Sequence, residues 1–549
     1  MIIPRVKKEV LSGKQCTLPY LLTVCVEESN ANKLCRLIGY LLPESCASAV
    51  PADAVITAVH DASFQTEKYA LSVQNGKVKI TYGDYLGLRN AVAALSVAVK
   101  AGENGYVVDE MQVEDYPEAK HRGAMLDLAR GMKNYNLLCE DLVMIAKARM
   151  NVTHLHIFDS AGSCMQLDSL PATSLWEGCY SKRQILDLCD MAQVLGLEII
   201  PEFDMPAHSS KLIEANKDFA CDIDSGIKRS NWTICTGTEA VYEMYDKVIA
   251  ELASIFPGKY IHIGGDELEF ADLEGGEYIC HWDDCSKCRR FRKDHNIADR
   301  QDQYYYFVNR INAMIKKNGK QTIMWSDQMD CTREVKLDKD IIMHFWRVAG
   351  EGRGPYEGCS MNAQLSFGYE MINSYYPETY LDLEGYATSD SLRKWHWTTI
   401  PACEDAYKAQ IRGGELEAWE YGNTAGYAHY EHSLPSGVFI MADKLWNGDE
   451  LPYSQEYSKA LTKAILGAGT PDGLDVFACI GDLIPPRDSM LGREEGSVEK
   501  LAYVDKVTAD IQTLHTTISA LKAMSDGSTG RRAKAYSDCI QYVIDEKSK

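Results

Sequence analysis

Short apolar runs, each followed by a helical pattern, recur through the middle of the chain. There are eight of them from His121 onward: HRGAMLDLA, VTHLHIF, LEIIPEFDM, KYIHIGG, QTIMWSD, DIIMHFW, YEMINSYY and GELEAW. Strands that alternate with helices in this way are typical of parallel βα units, and eight such units over about 250 residues or more are typical of a (β/α)8 barrel. The pattern therefore predicts an α/β fold with a TIM barrel over residues 119–450.

The pattern changes on both sides of this barrel. Before it, YALSVQNGKVKITYGD consists of two alternating runs about an Asn-Gly turn, which predicts a β-hairpin, and LGLRNAVAALSVAVK follows with helical spacing. Residues 1–118 are therefore predicted to form a small α+β domain. Residues 451–549 contain further helical patterns, such as YSQEYSKALTKAIL, and are predicted to form a C-terminal helical region.

Composition and charge limit the classes of partner. The chain has 549 residues, 46% of them hydrophobic, and a formal net charge of −22. Such a surface repels phosphate backbones and anionic membranes, so nucleic-acid and membrane partners are not expected. The first residues, MIIPRVKKEVLSGKQ, lack the apolar stretch and cleavage site of a signal peptide. We therefore expect a cytoplasmic protein with mostly reduced cysteines, and the pattern leaves its oligomeric state open.

The predicted strand ends carry acids and aromatic residues. Reacting groups of such barrels lie at the carboxyl ends of the strands. The residues found there are Arg122, Asp127, Asp159, Glu202, Asp204, His208, Asp266, Glu267, Trp325, Asp327, Trp346, Tyr380, Asp382, Trp419 and Glu420. Aromatic faces pack on the C–H faces of sugar rings, and carboxylates bind hydroxyls or transfer protons. Any one of these acids alone has an equally good explanation as half of a structural salt bridge, but the set indicates a carbohydrate site.

Four motifs in chain order, HRGAMLDLAR, NVTHLHIFD, PEFDMPAHS and HIGGDE, resemble those of the glycoside hydrolase family 20 β-N-acetylhexosaminidases. The resemblance covers the predicted barrel and the small domain before it. It implies an exo-acting, retaining hydrolase of oligosaccharides or glycoconjugates with terminal β-linked GlcNAc or GalNAc, and a reaction that requires no cofactor. It also implies substrate-assisted catalysis, in which the acetamido carbonyl of the substrate attacks the anomeric carbon and forms an oxazolinium intermediate.

The resemblance implies a catalytic role for four residues. Glu267 is the general acid/base for the glycosidic oxygen, and Asp266 holds the acetamido N–H and balances the positive charge of the intermediate. Asp159 and His208 orient and tune the acid/base. Separately, the glycine pair before Asp266 is expected to release the backbone from regular strand geometry and to make room for the sugar.

Substrate-binding roles follow from the same resemblance. Arg122 matches the arginine that binds hydroxyls of the terminal sugar, and three tryptophans match an aromatic box around the acetamido group. Tyr380 matches the tyrosine that hydrogen-bonds the acetamido carbonyl, and Asp382 matches an acid near the outer hydroxyls. The box residues are Trp325, Trp346 and Trp419, and Glu420 follows the last of them.

The chain departs from the family pattern at three places. Ser160 and Ser163 replace a second aspartate and part of a Gly-Trp pair, and Ala207 replaces the usual glycine before His208. Glu420 follows Trp419 directly instead of one residue later. The first two changes border the leaving-group side, so the sequence leaves the linkage, the aglycone and tolerance of 6-sulfo or 6-phospho sugars open.

A cysteine cluster lies soon after Glu267. The segment CHWDDCSKC places Cys280, Cys285 and Cys288 within nine residues and includes His281. Cys-x2-Cys is half of a zinc site. A second pair at suitable spacing is missing from this stretch, so we expect reduced, packed thiols here in preference to a structural zinc ion.

Two other functions fit parts of the pattern. His154, His156, His208, His262 and Asp327 are potential ligands of a metal-dependent amidohydrolase. A catalytically inactive sugar-binding barrel would keep the aromatic residues, but binding alone does not require an acid positioned to donate a proton. Both alternatives are less well supported than the hexosaminidase interpretation.

Overall fold

The computed structural model of the chain describes residues 1–224, 226–271, 277–332, 336–347, 359–381, 387–419, 424–480, 509–524 and 527–548. Two of the residues singled out in the sequence, Asp382 and Glu420, lie outside these ranges. Of the helices in the described residues, none combines the length and the apolar character needed to cross a bilayer.

The N-terminal part is a sheet with two helices. Its elements are β1 Lys8–Leu18, β2 Leu21–Cys25, α1 Glu28–Leu41, β3 Cys46–Ala49, β4 Ile56–His60, β5 Tyr69–Gln74, β6 Lys77–Tyr82, α2 Tyr85–Ala98, β7 Lys100–Ala101 and β8 Tyr106–Asp115. The strand order is β1-β8-β5-β6-β4-β2-β3, with β7 beside β8. Strands β5 and β6 form the predicted hairpin, in which Gln74 pairs with Lys77 across the Asn-Gly turn. The helix predicted after the hairpin is α2, which is almost entirely buried.

Eight parallel strands close into the predicted barrel. They are β9 His121–Asp127, β10 Val152–Asp159, β13 Glu198–Met205, β14 Tyr260–Gly264, β17 Gln321–Trp325, β18 Ile342–Phe345, β19 Met371–Asn373 and β21 Ile411–Ala418. Each pairs with the next, and β21 returns to β9 through Gly413 and His121. All eight apolar runs are strands of this barrel, so the predicted fold class is confirmed.

Helices and short strands connect the barrel strands. They are α3 Tyr135–Lys147, β11 Gly162–Met165, β12 Leu175–Tyr180, α4 Lys182–Leu195, α5 Ser210–Ala215, α6 Glu239–Ile255, β15 Phe270–Ala271, β16 Glu277–Tyr278, α7 Ser286–Asp294, α8 Arg300–Lys317, α9 Met361–Ser366, α10 Tyr376–Thr379, β20 Tyr380–Leu381, α11 Ser389–Lys394 and α12 Thr424–Asn447. Beyond them lie α13 Gln455–Leu466, α14 Val476–Ile480, α15 Ile511–Lys522 and α16 Gly527–Lys547. The helical patterns expected after residue 450 are therefore present in the described part of that region.

The N-terminal sheet is joined to the amino-terminal end of the barrel strands by buried ion pairs. Arg149, which directly follows α3, contacts the carboxylate of Asp115 at the end of β8. The same carboxyl group accepts the indole N–H of Trp446 at 2.9 Å. Arg122, the second residue of β9, contacts Glu67 of the N-terminal domain and donates to the carbonyl of Ala119 at 2.8 Å. These contacts place Arg122 at the end of the barrel opposite to the carboxyl ends of the strands.

Two of the eighteen cysteines, Cys331 and Cys359, form a disulfide bond. The other sixteen are free thiols, and nine of those are buried. The expectation of mostly reduced cysteines therefore agrees with the structure for these sixteen, and the disulfide is the departure from it.

Candidate active site

The glycine pair takes the chain out of strand geometry at the end of β14. Gly264 and Gly265 have φ angles of 66° and 94°, in the left-handed region that favours glycine, and Glu267 has a φ of 45°. A Cβ at Gly264 would lie 1.9 Å from Oδ1 of Asp204, so no other residue fits there without displacing that acid. The turn places both neighbouring carboxylates beside one histidine: Asp266 Oδ2 and Glu267 Oε2 each lie 3.6 Å from His208 Nε2.

The other side of the His208 ring faces a third carboxylate. His208 Nδ1 lies 2.9 Å from Asp159 Oδ2, at the carboxyl end of β10. The His208 ring also packs on the indole of Trp232, with 4.1 Å between ring centroids, and Trp232 donates its N–H to the backbone carbonyl of Glu267 at 2.7 Å. The imidazole is thus held between Asp159 on one nitrogen and the Asp266–Glu267 pair on the other.

These contacts set the charges of the site. Burial alone would lower the pKa of His208, but the carboxyl groups of Asp204, Asp159 and Asp266 outweigh it and hold that pKa well above its usual value. Burial would raise the pKa of Asp159, yet the cations of Arg130 and His208 keep it well below the usual range. The pKa of Asp204 is raised well above the usual value, by burial and by Asp266. Asp159, whose pKa is lowered, is therefore an anionic partner of a protonated His208.

The two neighbouring acids are shifted in opposite directions. Burial raises the pKa of Asp266, and the attraction of His208 only partly offsets this. Burial alone would raise the pKa of Glu267, but its close contact with His208 and the charges of His208, Arg347 and Arg130 lower that pKa below the usual value. Carboxyl groups whose environments separate their pKa values are typical of acid/base sites.

A second acid supports the backbone of Glu267. Asp327 Oδ2 accepts the Glu267 backbone N–H at 3.2 Å and also binds Arg347 Nη2 at 2.9 Å. Both Asp327 and Arg347 are buried. Arg347 in turn lies over the ring of Trp346, with 4.4 Å from the guanidinium carbon to the ring centroid. Asp327 thereby connects the acidic turn to the aromatic side of the site.

The predicted aromatic residues lie together beside this turn. Trp325, Tyr380 and Trp419 form one buried cluster with Met125, and Trp346 packs against it. Ring centroids of Trp346 and Tyr380 are 6.1 Å apart with nearly parallel planes, and those of Tyr380 and Trp419 are 5.9 Å apart. The structure thus brings all three predicted tryptophans and the predicted tyrosine to one place.

Glu202 fixes the deepest ring of this cluster. Its Oε1 accepts the indole N–H of Trp325 at 2.6 Å, while its Oε2 lies 2.6 Å from His156 Nδ1. His154 and His262 are each 3.2 Å from the same carboxylate. A catalytic metal centre keeps a position open for water or substrate. These buried histidines instead share a carboxylate that already holds Trp325, so the geometry does not favour the metal-dependent amidohydrolase.

The arginine at the site is Arg130, and the assignment of Arg122 was wrong. Arg122 is fully buried at the amino-terminal end of the barrel, where Glu67 neutralises it. Arg130 follows the carboxyl end of β9, binds Asp159 at 2.8 Å and Asp127 at 3.3 Å, and lies over the Trp419 ring at 4.8 Å. The motif HRGAMLDLAR contains both arginines. Only the second follows the strand, and that position was the signal that the sequence reasoning missed.

Two further residues escaped the sequence analysis. Trp232 lies in a loop between α5 and α6, outside any barrel strand, so strand-end reasoning had no reason to select it. Arg347 directly follows Trp346 and is recognisable only from its contact with Asp327. The roles predicted for the other site residues stay predictions, and the structure shows only where these side chains lie.

The cysteine segment after Glu267 is completed by distant residues. Cys221, Cys235, Cys285 and Cys288 are all buried, and their sulfur atoms lie within 4.8 Å of one another. Cys280 is buried but is not part of this group. His281 is not part of it either, since its Nε2 accepts the backbone N–H of Ser230 at 2.9 Å. The second pair that the local sequence lacks is therefore Cys221 and Cys235.

Comparison with known proteins identifies the catalytic unit. The family model described as "Glycosyl hydrolase family 20, catalytic domain" matches residues 120–430, more than half of the chain. The chain is 25% identical over 433 residues to a β-hexosaminidase of Emericella nidulans, covering 74% of this chain and 65% of that protein. It is 24% identical over 272 residues to a β-hexosaminidase of Porphyromonas gingivalis, covering 46% of this chain and 34% of that protein. The chain thus spans between a third and two thirds of the length of these relatives.

A solved structure supports the fold. The crystal structure of the β-N-acetylhexosaminidase from Bacteroides fragilis superposes with a TM-score of 0.72 at 20% sequence identity. The match covers 84% of this chain and 94% of that one. At this identity the likeness concerns the architecture, which agrees with the closed barrel.

Proposed function

The chain belongs to glycoside hydrolase family 20, and from that premise we propose that it is an exo-acting β-N-acetylhexosaminidase that releases terminal β-linked GlcNAc or GalNAc with retention of configuration. The observation that carries the proposal is the contact of one histidine, His208, with both Asp266 and Glu267, beside a cluster of aromatic rings. The substrate would be an oligosaccharide or glycoconjugate that ends in an N-acetylhexosamine.

In the first step the acetamido oxygen of the substrate attacks the anomeric carbon. The bond to the glycosidic oxygen breaks, and Glu267 protonates that oxygen as it leaves. The aromatic cluster of Trp325, Trp346, Tyr380 and Trp419 would enclose the acetamido methyl group and align the carbonyl for attack. In the second step, Glu267 takes a proton from water, which opens the oxazolinium ring from the same face on which the aglycone stood.

Asp266 is suited to the acetamido N–H. Its Oδ1 is buried, and among the described residues no donor forms a hydrogen bond with this atom. Its raised pKa shows that a negative charge is unfavourable there without a partner. A cationic oxazolinium would supply that partner, so the interaction strengthens on the way to the intermediate, which is the condition for catalysis by differential binding.

Glu267 must carry a proton when the glycoside reacts. In the free protein its lowered pKa favours the ionised form, with His208 protonated beside it. A glycoside bound over Glu267 excludes water from the carboxylate and therefore favours its protonated form. His208 Nε2 is 3.6 Å from Glu267 Oε2 and is a suitable source of this proton, and Asp159 remains in place on the opposite nitrogen.

Arg130 takes over the sugar-binding role that the sequence assigned to Arg122. Its guanidinium lies between Asp127 and Asp159 and against the Trp419 ring, at the mouth of the barrel. A cation in this position can donate to hydroxyls of a terminal sugar. Because Arg130 would bind hydroxyls of the terminal sugar, the enzyme would cleave at the end of the glycan, which is exo-action.

A panel of aryl glycosides tests the proposal. We expect hydrolysis of aryl β-GlcNAc, aryl β-GalNAc or both, with β-anomeric product first detected by NMR, and no hydrolysis of aryl β-glucoside. Glu267→Gln should remove most of the activity on disaccharides, while Glu243→Gln, which changes an exposed acid on α6, should leave it intact. Wild-type protein that folds, binds GlcNAc and hydrolyses none of these glycosides would instead support the inactive sugar-binding barrel. The family's reaction requires no cofactor, so activity should not depend on metal ions added to the assay.

A further inference from the structure

Four cysteines from two distant segments meet behind the active site. Cys221 and Cys235 precede α6, and Cys285 and Cys288 stand at the start of α7. The sulfur atom of Cys235 lies 3.7 Å from that of Cys285 and 3.6 Å from that of Cys288. All four side chains are buried.

These distances match the edges of a metal tetrahedron. Zinc binds thiolate sulfur at about 2.3 Å, and a regular tetrahedron of that radius has sulfur–sulfur edges of about 3.8 Å. A disulfide requires about 2.05 Å between sulfurs, so these thiols are not paired covalently. Four sulfur ligands at this spacing are typical of a closed structural zinc site.

The backbone around the cluster is arranged for this close approach. Cys285 caps the N-terminus of α7, so Cys285 and Cys288 project from its first turn. The backbone N–H of Asp222 donates to Cys285 Sγ at 3.2 Å, a contact that stabilises a thiolate. Gly237 lies so near α7 that an added Cβ would be 2.6 Å from the Cys288 backbone nitrogen. Glycine is thus required where the two segments meet.

We propose that Cys221, Cys235, Cys285 and Cys288 bind one Zn²⁺ ion as a structural site, and that this ion fixes the loop that supports the catalytic acid. The zinc site itself does not depend on the glycosidase proposal. Its effect on activity does rest on that proposal.

The link to the active site is the short segment before Cys235. Trp232 donates to the Glu267 carbonyl at 2.7 Å and packs on His208, and Thr233 Oγ1 donates to the Leu268 carbonyl at 2.9 Å. The Ile234 N–H donates to the carbonyl of Pro206 at 2.9 Å. The segment is therefore bonded on one side to the turns that carry Glu267 and His208, and ends on the other side at a cluster cysteine.

Metal content tests the site directly. Protein purified without added metal should contain about one zinc per chain by elemental analysis. Cys285→Ser and Cys221→Ser should lose it, whereas Cys280→Ser, a buried cysteine of the same segment outside the cluster, should keep it. Wild-type protein with less than about a tenth of an equivalent of any metal, or with iron in place of zinc, would overturn the assignment.

Cobalt provides a readout that does not depend on the folding of the variants. Wild-type protein refolded with Co²⁺ should show the intense visible bands of tetrahedral cobalt and the ultraviolet thiolate-to-cobalt charge-transfer bands of several sulfur ligands. Spectra of six-coordinate cobalt would refute the four-thiolate site. The Cys280→Ser protein should give the wild-type spectrum.

The coupling to catalysis has its own test. Trp232→Phe should keep a full equivalent of zinc while kcat falls at least about tenfold, because the hydrogen bond that positions Glu267 is lost. Zinc removal with a thiol reagent should reduce both thermal stability and kcat. If the protein has no glycosidase activity but keeps one zinc, the function proposal fails and the zinc site stands. If zinc removal leaves kcat and KM unchanged, the structural link fails.

Discussion

Asp159 Oδ2 lies 2.9 Å from Nδ1 of His208. Asp159 ends barrel strand β10, and His208 lies in the loop that follows the neighbouring strand β13. This contact contributes to the charge of the site, because Asp159 is one of the carboxyl groups that raise the pKa of His208 despite its burial. His208 then presents an N–H toward Asp266 and Glu267 on its other side. Strand ends that meet at one edge of the barrel thus bring residues of three separate sequence motifs together around one histidine.

Asp159→Asn should shift the pH dependence of activity. The pKa of His208 is raised in the folded protein, so its charge contributes stability that is complete below the unfolded pKa of about 6.5 and is lost as pH rises through the folded value. Removal of the Asp159 anion takes away one of the charges that raise the His208 pKa and therefore lowers that pKa. The alkaline limb of kcat/KM, measured with an aryl glycoside, should therefore move to lower pH. Asp168→Asn, an exposed acid distant from His208, is the control.

In an NMR pH titration of Asp159→Asn, the imidazole signals of His208 should titrate at lower pH than in the wild type, as the alkaline limb of kcat/KM does. An unchanged alkaline limb in Asp159→Asn, with a His208 signal that has shifted, would remove His208 from the catalytic proton path.

The loss of activity in Glu267→Gln should depend on the leaving group of the substrate. Loss of the general acid should reduce glycosylation of disaccharides by roughly 10²–10⁴-fold. Aryl glycosides with good leaving groups need little protonation, so their glycosylation step should lose much less, as pre-steady-state release of the phenol would show. Equal losses on both substrate types would assign the acid role to another residue.

Gly264→Ala should destabilise the protein more than an ordinary left-handed glycine does. The new Cβ would lie 1.9 Å from Asp204 Oδ1 and 2.9 Å from Asp204 Cα, in addition to the strain of the positive φ. Overpacking and backbone strain together should cost roughly 2–5 kcal/mol of unfolding free energy. Gly319 also has a positive φ, 74°, but open space around it. Gly319→Ala should therefore cost only the backbone strain, roughly 1–2 kcal/mol of unfolding free energy. Similar losses in urea denaturation of both variants would contradict the close contact.

Two arginine variants separate stability from activity. Arg122→Met leaves Glu67 as an unpaired buried carboxylate and should lower the free energy of unfolding by roughly 3–5 kcal/mol, while kcat/KM of the folded fraction stays within about threefold. Arg130→Met should lower stability less, because Asp159 keeps His208 as a neighbouring cation. It should lower kcat/KM by roughly 10²-fold or more, because it removes a charged hydrogen-bond donor from the sugar site. The reverse result would restore Arg122 as the substrate-binding residue.

The eight strands and the hairpin were predictable because each depends on a local pattern. Strands such as HLHIF are continuous apolar runs, and the hairpin turns at Asn75-Gly76. The positions of Asp159, His208 and Glu267 followed from the same pattern, since strand ends of a barrel converge. The acid and histidine motifs were therefore placed correctly before any distance was known.

The contacts that escaped prediction depend on chain segments far apart in sequence. Cys235 is 50 residues from Cys285, and thirteen residues separate it from Cys221, so no compact motif marks the cluster. Arg122 and Arg130 are both arginines of one motif, and only the direction of β9 shows which end of the barrel each one occupies. The cytoplasmic location and the domain boundaries inferred from the sequence stay predictions.

The last prediction concerns the nucleophile. If the acetamido group attacks, an N-trifluoroacetyl glucosaminide should react more slowly in the glycosylation step, because fluorine withdraws electrons from the carbonyl oxygen. A thiazoline that mimics the oxazolinium should bind at least about 10²-fold more tightly than GlcNAc. Asp266→Asn should weaken the thiazoline more than it weakens GlcNAc, because the positive charge that Asp266 balances exists only in the intermediate.

Calorimetry of both ligands with the wild type and Asp266→Asn measures this difference, and Asp283→Asn, on the exposed side of the cysteine segment, is the control. Equal weakening of both ligands would make Asp266 an ordinary binding residue. A sugar ester on Asp266 or Glu267, trapped with a 2-fluoro glycoside and found by mass spectrometry, would show that the protein supplies the nucleophile. An ester on either carboxylate would mean that the substrate-assisted mechanism has to be abandoned.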